Sequence, residues 1–273
     1  MPPTDLTDTL CAETIAELLG DSTYTERLLI HDTLPSTNDT AKALARIGVA
    51  HGTVVMANHQ TAGRGRRSER SFFSPSGGIY LSLILQAERV KLSTLGLLTA
   101  FSALTLCQLL EERYAKQPSI KWVNDIFLDN KKISGVLTET VSDPKTQTID
   151  WLVLGIGINF DTPACEFPPE LQAVAGSVFP HGKPATANRN QLVAELIWRL
   201  LHMIEHADEP LLLAGYRERL LFLGQTIMVH QVNQPSYEAR AIDIDNQAGL
   251  VVERADGTRT TLSHGEISIR PIA

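Results

Sequence analysis

The sequence predicts an α+β chain in two parts: a mixed β-sheet with flanking helices up to about Leu223, then a small barrel-like β module. Three observations carry this expectation. Before Leu223, short apolar or β-branched runs alternate with longer stretches of helical periodicity. After Gly224 the texture changes to short alternating runs between Thr226 and Arg270. Within them, Asp256-Gly257 reads as a hairpin turn, because both positions tolerate positive φ. The expected division is residues 1–26 as an N-terminal extension, 27–223 as the main domain and 224–273 as the β module.

The elements follow in order. Leu10 to Leu19 is a short amphipathic helix with Gly20 as its C-cap. Arg27 to His31 reads as a strand, and Ser36 or Thr37 caps a helix through Ala41, Leu44 and Ile47 that stops at Gly48. Thr53 to Ala57 is a buried strand and Ile79 to Leu85 an alternating one. Leu95 to Tyr114 is the longest candidate helix. Strands are expected at Ile120–Val123, Ile133–Thr138 and Ile149–Asn159, then a helix capped by Asn188 or Asn190 and running to about His206, and another around Tyr216. The β module holds Thr226–Val232, Tyr237–Ile244, Leu250–Arg254, Arg259–Leu262 and Ile267–Arg270.

Composition narrows the function classes. An apolar fraction of 43% and a charged fraction of 20% are those of an ordinary globular chain. No unbroken apolar run reaches the roughly 18 residues of a membrane span, and the acidic N-terminus does not read as a signal peptide, so the expectation is a cytoplasmic protein with no membrane partner. Cys11, Cys107 and Cys165 are odd in number and widely spaced, which argues against disulfides and zinc; Cys107 falls on an apolar helix face and reads as core. None of the eight histidines has metal-ligand spacing. The formal net charge is −7, so positive charge is local rather than general and points to a small anionic ligand.

That local charge is the stretch Gln60, Gly63, Arg64, Gly65, Arg66, Arg67 and Arg70. Glycines let the backbone approach a ligand closely, and guanidinium forks match phosphate or carboxylate. The same stretch also fits a solvated loop or a nucleic-acid patch. It fails the dinucleotide fingerprint, since Ser68 stands where a third glycine is required. Lys121 opens into an Asn124-Asp125 turn and is followed by Lys131, Lys132 and Gly135. Gly155 and Gly157 precede Asn159 in a strand, where glycine marks either close packing or close approach of a ligand. Ser36, Thr37 and Asn38 start a helix, as caps or as donors and acceptors for a neutral ligand.

Taken together and in this order, these motifs resemble those of bacterial biotin–protein ligases of the type without an N-terminal DNA-binding domain. The carriers are Ser36-Thr37-Asn38, Gly63 to Arg67, Phe73-Ser74-Pro75, Lys121 to Asp125, Lys132 to Gly135, and Gly155 to Asn159; Gly265 to Arg270 resembles the end of the family's SH3-like domain. The resemblance implies a class II synthetase-like catalytic domain followed by an SH3-like β-barrel. It also implies ATP-dependent activation of biotin to biotinyl-5'-AMP, with transfer to a lysine of a biotin carboxyl carrier protein, an acetyl-CoA carboxylase subunit.

The resemblance assigns roles to residues. Lys121 and Arg66 become catalytic. Biotin falls to Ser36, Thr37, Asn38, Gln60, Gly63, Arg64, Gly65, Arg66, Lys121, Gly135 and Gly157. ATP falls to Arg66, Arg67, Arg70, Phe72, Asn124, Lys132 and Asn159, with Mg2+ as activator and no protein metal site assigned. A homodimer through the catalytic sheet is among the family's arrangements. The segment ahead of the motifs is too short for the winged helix-turn-helix of the repressor members, so no sequence-specific DNA binding is expected. Two departures from the family pattern stand out. Ser68 to Ser71 adds one residue and replaces a glycine, and the aromatic position is Phe72 or Phe73 in place of tryptophan; Val123 stands where proline is common. A lipoate or octanoate ligase of the same fold is the nearest alternative, and a nucleic-acid-binding module the alternative from another class.

Overall fold

A computed structural model describes residues 8–66, 71–93, 95–231 and 234–263, and the backbone of 267–271. The helices are α1 (Ala12–Leu19), α2 (Thr37–Arg46), α3 (Leu95–Tyr114), α4 (Arg189–His206) and α5 (Glu209–Glu218). The first seven strands are β1 (Leu28–Leu34), β2 (Val54–Gln60), β3 (Ile79–Gln86), β4 (Ser119–Lys121), β5 (Asp125–Leu128), β6 (Lys131–Ser142) and β7 (Ile149–Ile158). They form one sheet in the order β1-β2-β3-β7-β6-β5-β4. Only β1 and β2 run parallel, joined through the crossover helix α2, so the sheet is mixed as expected.

Both faces of this sheet are covered. Val54, Met56, Leu83 and Leu85 face the large core with α1, α3 and α4, whereas Val55, Ile84 and Val153 pack against Ala41 and Ala45 of α2. Two-sided burial explains why β3 is buried along nearly its whole length instead of alternating. It also explains α3, whose residues are buried on most sides because the helix lies inside the core. By length and composition alone α3 could cross a membrane, yet 72% of its apolar window is buried within this fold.

A second, antiparallel sheet holds β8 (Thr226–Gln231), β9 (Tyr237–Ile244), β10 (Leu250–Glu253), β11 (Arg259–Leu262) and β12 (Ile267–Pro271), in the order β11-β10-β9-β8-β12. Its inward residues Ile227, Val229, Ala241 and Val252 join the same core cluster as the main domain.

Three local expectations are corrected. The strand expected at Ile120–Val123 ends at Lys121, and the turn expected at Asn124-Asp125 falls at Trp122 to Asn124, because Asp125 already pairs in β5, a strand too short for its pattern to stand out. In the Asp256-Gly257 turn only Gly257 has positive φ, so this is not the two-positive-φ hairpin. β1, β2 and β6 each extend beyond the ranges expected, because polar residues at their ends still pair in the sheet. The end of the expected strand at Val232 and the segment Gly265-Glu266 lie outside the described residues.

Candidate active site

On the face of the sheet that carries α2, side chains run out. Along β7, Val153 is covered by the helix, but the next two residues pointing the same way are Gly155 and Gly157. Gly135 of β6 sits opposite Gly157, and Leu137 opposite Gly155. The result is a hollow with a backbone floor, enclosing about 140 Å3. Neither strand glycine tolerates a side chain in place. A Cβ at Gly155 would stand 2.0 Å from the Asn38 Oδ1, and one at Gly157 would stand 2.7 Å from the Phe72 ring.

The start of α2 forms one wall. Ser36 caps the helix, its Oγ accepting from the Asp39 amide at 3.4 Å. Thr37 and Asn38 are buried in the first turn and line the hollow. The end of β2 brings Gln60 alongside, whose Oε1 accepts from the Thr37 amide at 2.8 Å while its Nε2 donates to Ser74 at 2.9 Å. This end of the hollow is neutral and rich in donors and acceptors, with Leu137 of β6 as an apolar neighbour on the same face.

The glycine-arginine segment forms the opposite wall. Its two ends are tied together: the Phe72 amide donates to the Gly63 carbonyl at 2.8 Å, the Gln60 amide to the Ser74 carbonyl at 3.2 Å, and Arg64 bridges Ser71. Gly63 lies under this tie, where a Cβ would meet the Phe72 carbonyl at 2.4 Å. Arg64 and Arg66 then face the hollow, as do Lys121 from β4 and Lys132 from β6. Against these cations stands, among the described residues, one lining carboxylate, Asp125, paired with the Lys132 Nζ at 2.6 Å. The Lys132 ammonium also lies 5.7 Å from the centroid of Phe72. Arg64 is held at the rim by Asp39 at 2.9 Å. Burial raises the pKa of Asp39, but the bonds from Arg64 and Lys42 outweigh it and hold the carboxyl below its usual range.

The turn after Lys121 is fixed by buried bonds. The Tyr216 hydroxyl donates to the Val123 carbonyl at 2.9 Å, and the Trp122 Nε1 donates to Ala248 of the second sheet at 2.8 Å. Asn124 donates through Nδ2 to the Val136 carbonyl at 2.7 Å.

A pocket neutral at one end and cationic at the other, under a tethered arginine loop, is what known proteins then explain. The model of the biotin/lipoate A/B protein ligase family matches residues 31–159. The bifunctional ligase/repressor BirA of Bacillus subtilis is 31% identical over 242 residues, which are 87% of this chain and 73% of that protein. The chain belongs to the biotin protein ligase family. The biotin–[acetyl-CoA-carboxylase] ligase of Mycobacterium tuberculosis is 28% identical over 257 residues, 92% of each chain. The biotin protein ligase of Aquifex aeolicus, solved in complex with biotin and ATP, superposes with a TM-score of 0.75 at 26% identity, over 90% of this chain and 99% of that one.

Most residues singled out from the sequence meet in this hollow: Ser36, Thr37, Asn38, Gln60, Arg64 and Gly65 with Arg66, Phe72 and Lys121, then Asn124, Lys132, Gly135 and Gly157. Gly63 instead underlies the loop tie. Asn159 is not among the residues that line the hollow; it is buried, donates to the Gly176 carbonyl at 2.9 Å, and its Oδ1 has no partner among the described residues. Arg67 and Arg70 lie outside the described residues. Between the two aromatic candidates the geometry decides: Phe72 lines the hollow, and Phe73 packs against Phe167 at 6.0 Å. Cys107 is in the core, where burial pushes its thiol far up and makes it a poor nucleophile. Sequence reasoning missed Ser82, Glu139 and Leu137. Ser82 left a trace, as a small polar residue in the apolar run of β3; Glu139 left none, since a charged residue in β6 reads as surface.

Proposed function

We propose that this ligase binds biotin in the neutral half of the hollow and ATP across its cationic half, forms biotinyl-5'-AMP, and transfers biotin to a lysine of a carboxylase carrier protein. The observation that carries the reading is the division of one hollow between uncharged hydrogen-bonding groups and, among the described residues, four cations, in a chain of net charge −7.

In the first step a carboxylate oxygen of biotin bonds to the α-phosphorus of ATP, and the bond to the departing pyrophosphate breaks. Carboxylate and triphosphate repel, so the step requires positive charge where the two meet. Lys121 and Arg66 are assigned to that place, with Lys132 beside the nucleotide phosphates. Thr37, Asn38 and Gln60 hold the ring end of biotin, and Arg64 and Gly65 cover its chain. Phe72 and the unpartnered Oδ1 of Asn159 are assigned to the adenine side, with Arg67 and Arg70 completing the basic loop. Mg2+ fits this donor set in the manner usual for nucleotide enzymes: Asp125 is the carboxylate that would hold it beside the phosphates. When bound, it neutralises phosphate charge. In the second step the carrier lysine amine attacks the acyl carbon of the mixed anhydride, AMP leaves, and the amine loses its proton. Positioning suffices, without a protein nucleophile.

The test is ATP-dependent labelling of a biotin carrier domain by wild type and by Lys121→Ala. Wild type is expected to label it, and the variant to be slower by roughly a hundredfold or more. Equal rates would remove Lys121 from the mechanism, and no biotin transfer by wild type would remove the function.

A further inference from the structure

Beneath the neutral end of the hollow runs an ordered chain of hydrogen bonds that ends in a carboxylate. Glu139 of β6 lies on the far side of Asn38 from the ligand space. Its Oε2 accepts from the Asn38 Nδ2 at 2.8 Å, and its Oε1 accepts from the Lys42 Nζ at 2.7 Å. Lys42 is in turn held by Asp39 at 3.0 Å. A carboxylate only accepts, so the Asn38 amide has one permitted orientation: nitrogen towards Glu139, oxygen towards Ser82. That oxygen lies 2.6 Å from the Ser82 Oγ, which is fully buried and which lies 2.8 Å from the Thr37 Oγ1. A hydroxyl carries one hydrogen. With the hydrogen of Ser82 committed to Asn38, Ser82 can only accept from Thr37. The other protein neighbour of the Thr37 hydroxyl, the Gln60 Oε1 at 3.2 Å, is also an acceptor, already oriented by the Thr37 amide. By either route the hydrogen of Thr37 is consumed within the protein, and what the hydroxyl has left to offer a ligand is acceptance.

We propose that Glu139 is a positioning residue that fixes the direction of this chain, so that Thr37 meets the ligand as an acceptor and the site selects a ring N–H at that point; with biotin as the ligand, on which this rests, the donor is one of the two ureido N–H groups. Lys42 serves the chain by holding the Glu139 carboxylate aimed at Asn38. In Glu139→Gln the partner of Asn38 can both donate and accept. The Asn38 amide can then reverse and Ser82 can donate to Thr37, which leaves the Thr37 hydrogen held only by the long 3.2 Å contact to the Gln60 Oε1, from which a ligand acceptor can draw it.

The probes are biotin and its two cyclic carbamate analogues, in which a ring oxygen replaces one ureido N–H or the other. They change a donor into an acceptor with little change in shape. Binding to the full chain is measured by calorimetry. Wild type is expected to bind biotin and to discriminate against one of the two carbamates by about a hundredfold or more, because the swap sets two acceptors face to face. Glu139→Gln is expected to weaken biotin binding by roughly tenfold and to bind that carbamate as well as or better than wild type does, shrinking the discrimination by tenfold or more. Ser82→Ala, which removes only a hydroxyl from a strand, breaks the same chain and carries the test if Glu139→Gln does not fold. If both analogues and biotin weaken by one common factor in these variants, Glu139 and Ser82 are structural only and the proposal is overturned. If wild type binds biotin but does not discriminate between it and either carbamate, the proposal alone is overturned. If wild type does not bind biotin, the functional reading falls as well.

Discussion

At the scale of single residues, the hollow exists because two positions on one strand lack side chains. Gly155 and Gly157 both face α2, yet they are predicted to differ in how they fail. In Gly155→Ala the new methyl meets the Asn38 Oδ1, which is pinned by Ser82 and Glu139 and cannot step aside. In Gly157→Ala it meets the Phe72 ring, a longer side chain on a loop. Gly155→Ala is therefore expected to cost about 1–3 kcal/mol of stability, as overpacking does, and to abolish measurable biotin binding. Gly157→Ala is expected to cost less stability and to raise the KM for ATP more than that for biotin. Denaturation curves and the two KM values check both, and equal effects on the two substrates would contradict the placement of Phe72. From sequence the glycines were legible as a signal, but not which reading applied, packing or ligand approach. That choice depended on Asn38 and Phe72 arriving from segments far away in the chain.

At the scale of elements, local chemistry made most of the main-domain helices legible. Ser36 caps α2, Gly20 takes the left-handed conformation after α1, and α3 spans the range its periodicity gave. Asn188, the cap of α4, accepts from the Asn190 and Gln191 amides, so Asn188→Ala is expected to cost about 1 kcal/mol in thermal or chemical unfolding, with no change in KM for either substrate. β5 was not legible, because it is short and its pairing partner lies beyond a turn. The segment between α2 and β2 carries a pH signature. Burial of His51 disfavours its charged form and Arg89 adds repulsion, so its pKa is lowered in the folded state. A lowered histidine pKa means the folded protein resists a proton that the unfolded chain takes up near pH 6.5. Its contribution to stability is complete above that pH and is lost as the pH falls. The melting temperature is expected to drop between about pH 7 and 5.5, and to drop less in His51→Gln; an identical drop would show that other groups cause it.

At the scale of the whole molecule, the two sheets share one core and meet at the turn that follows Lys121. The Trp122 indole donates across to the Ala248 carbonyl, which is buried, and Arg217 pairs with Asp243 at 2.7 Å. Trp122→Phe leaves that carbonyl unsatisfied and is expected to cost about 1–3 kcal/mol in denaturant unfolding. Because the same turn carries Lys121, kcat should fall too, and unchanged kcat would show that the second sheet does not hold the turn. The alternating texture after Gly224 predicted the β module, but nothing in the sequence indicated that it reaches the site, since the contact is made through a backbone carbonyl. The floor of the hollow is likewise backbone, and this limits redesign. Nothing can be trimmed at Gly135, Gly155 or Gly157 to admit a bulkier biotin analogue, so a ligase re-engineered for orthogonal labelling would have to gain its room from Leu137, which shares their face of the sheet, or from Phe72.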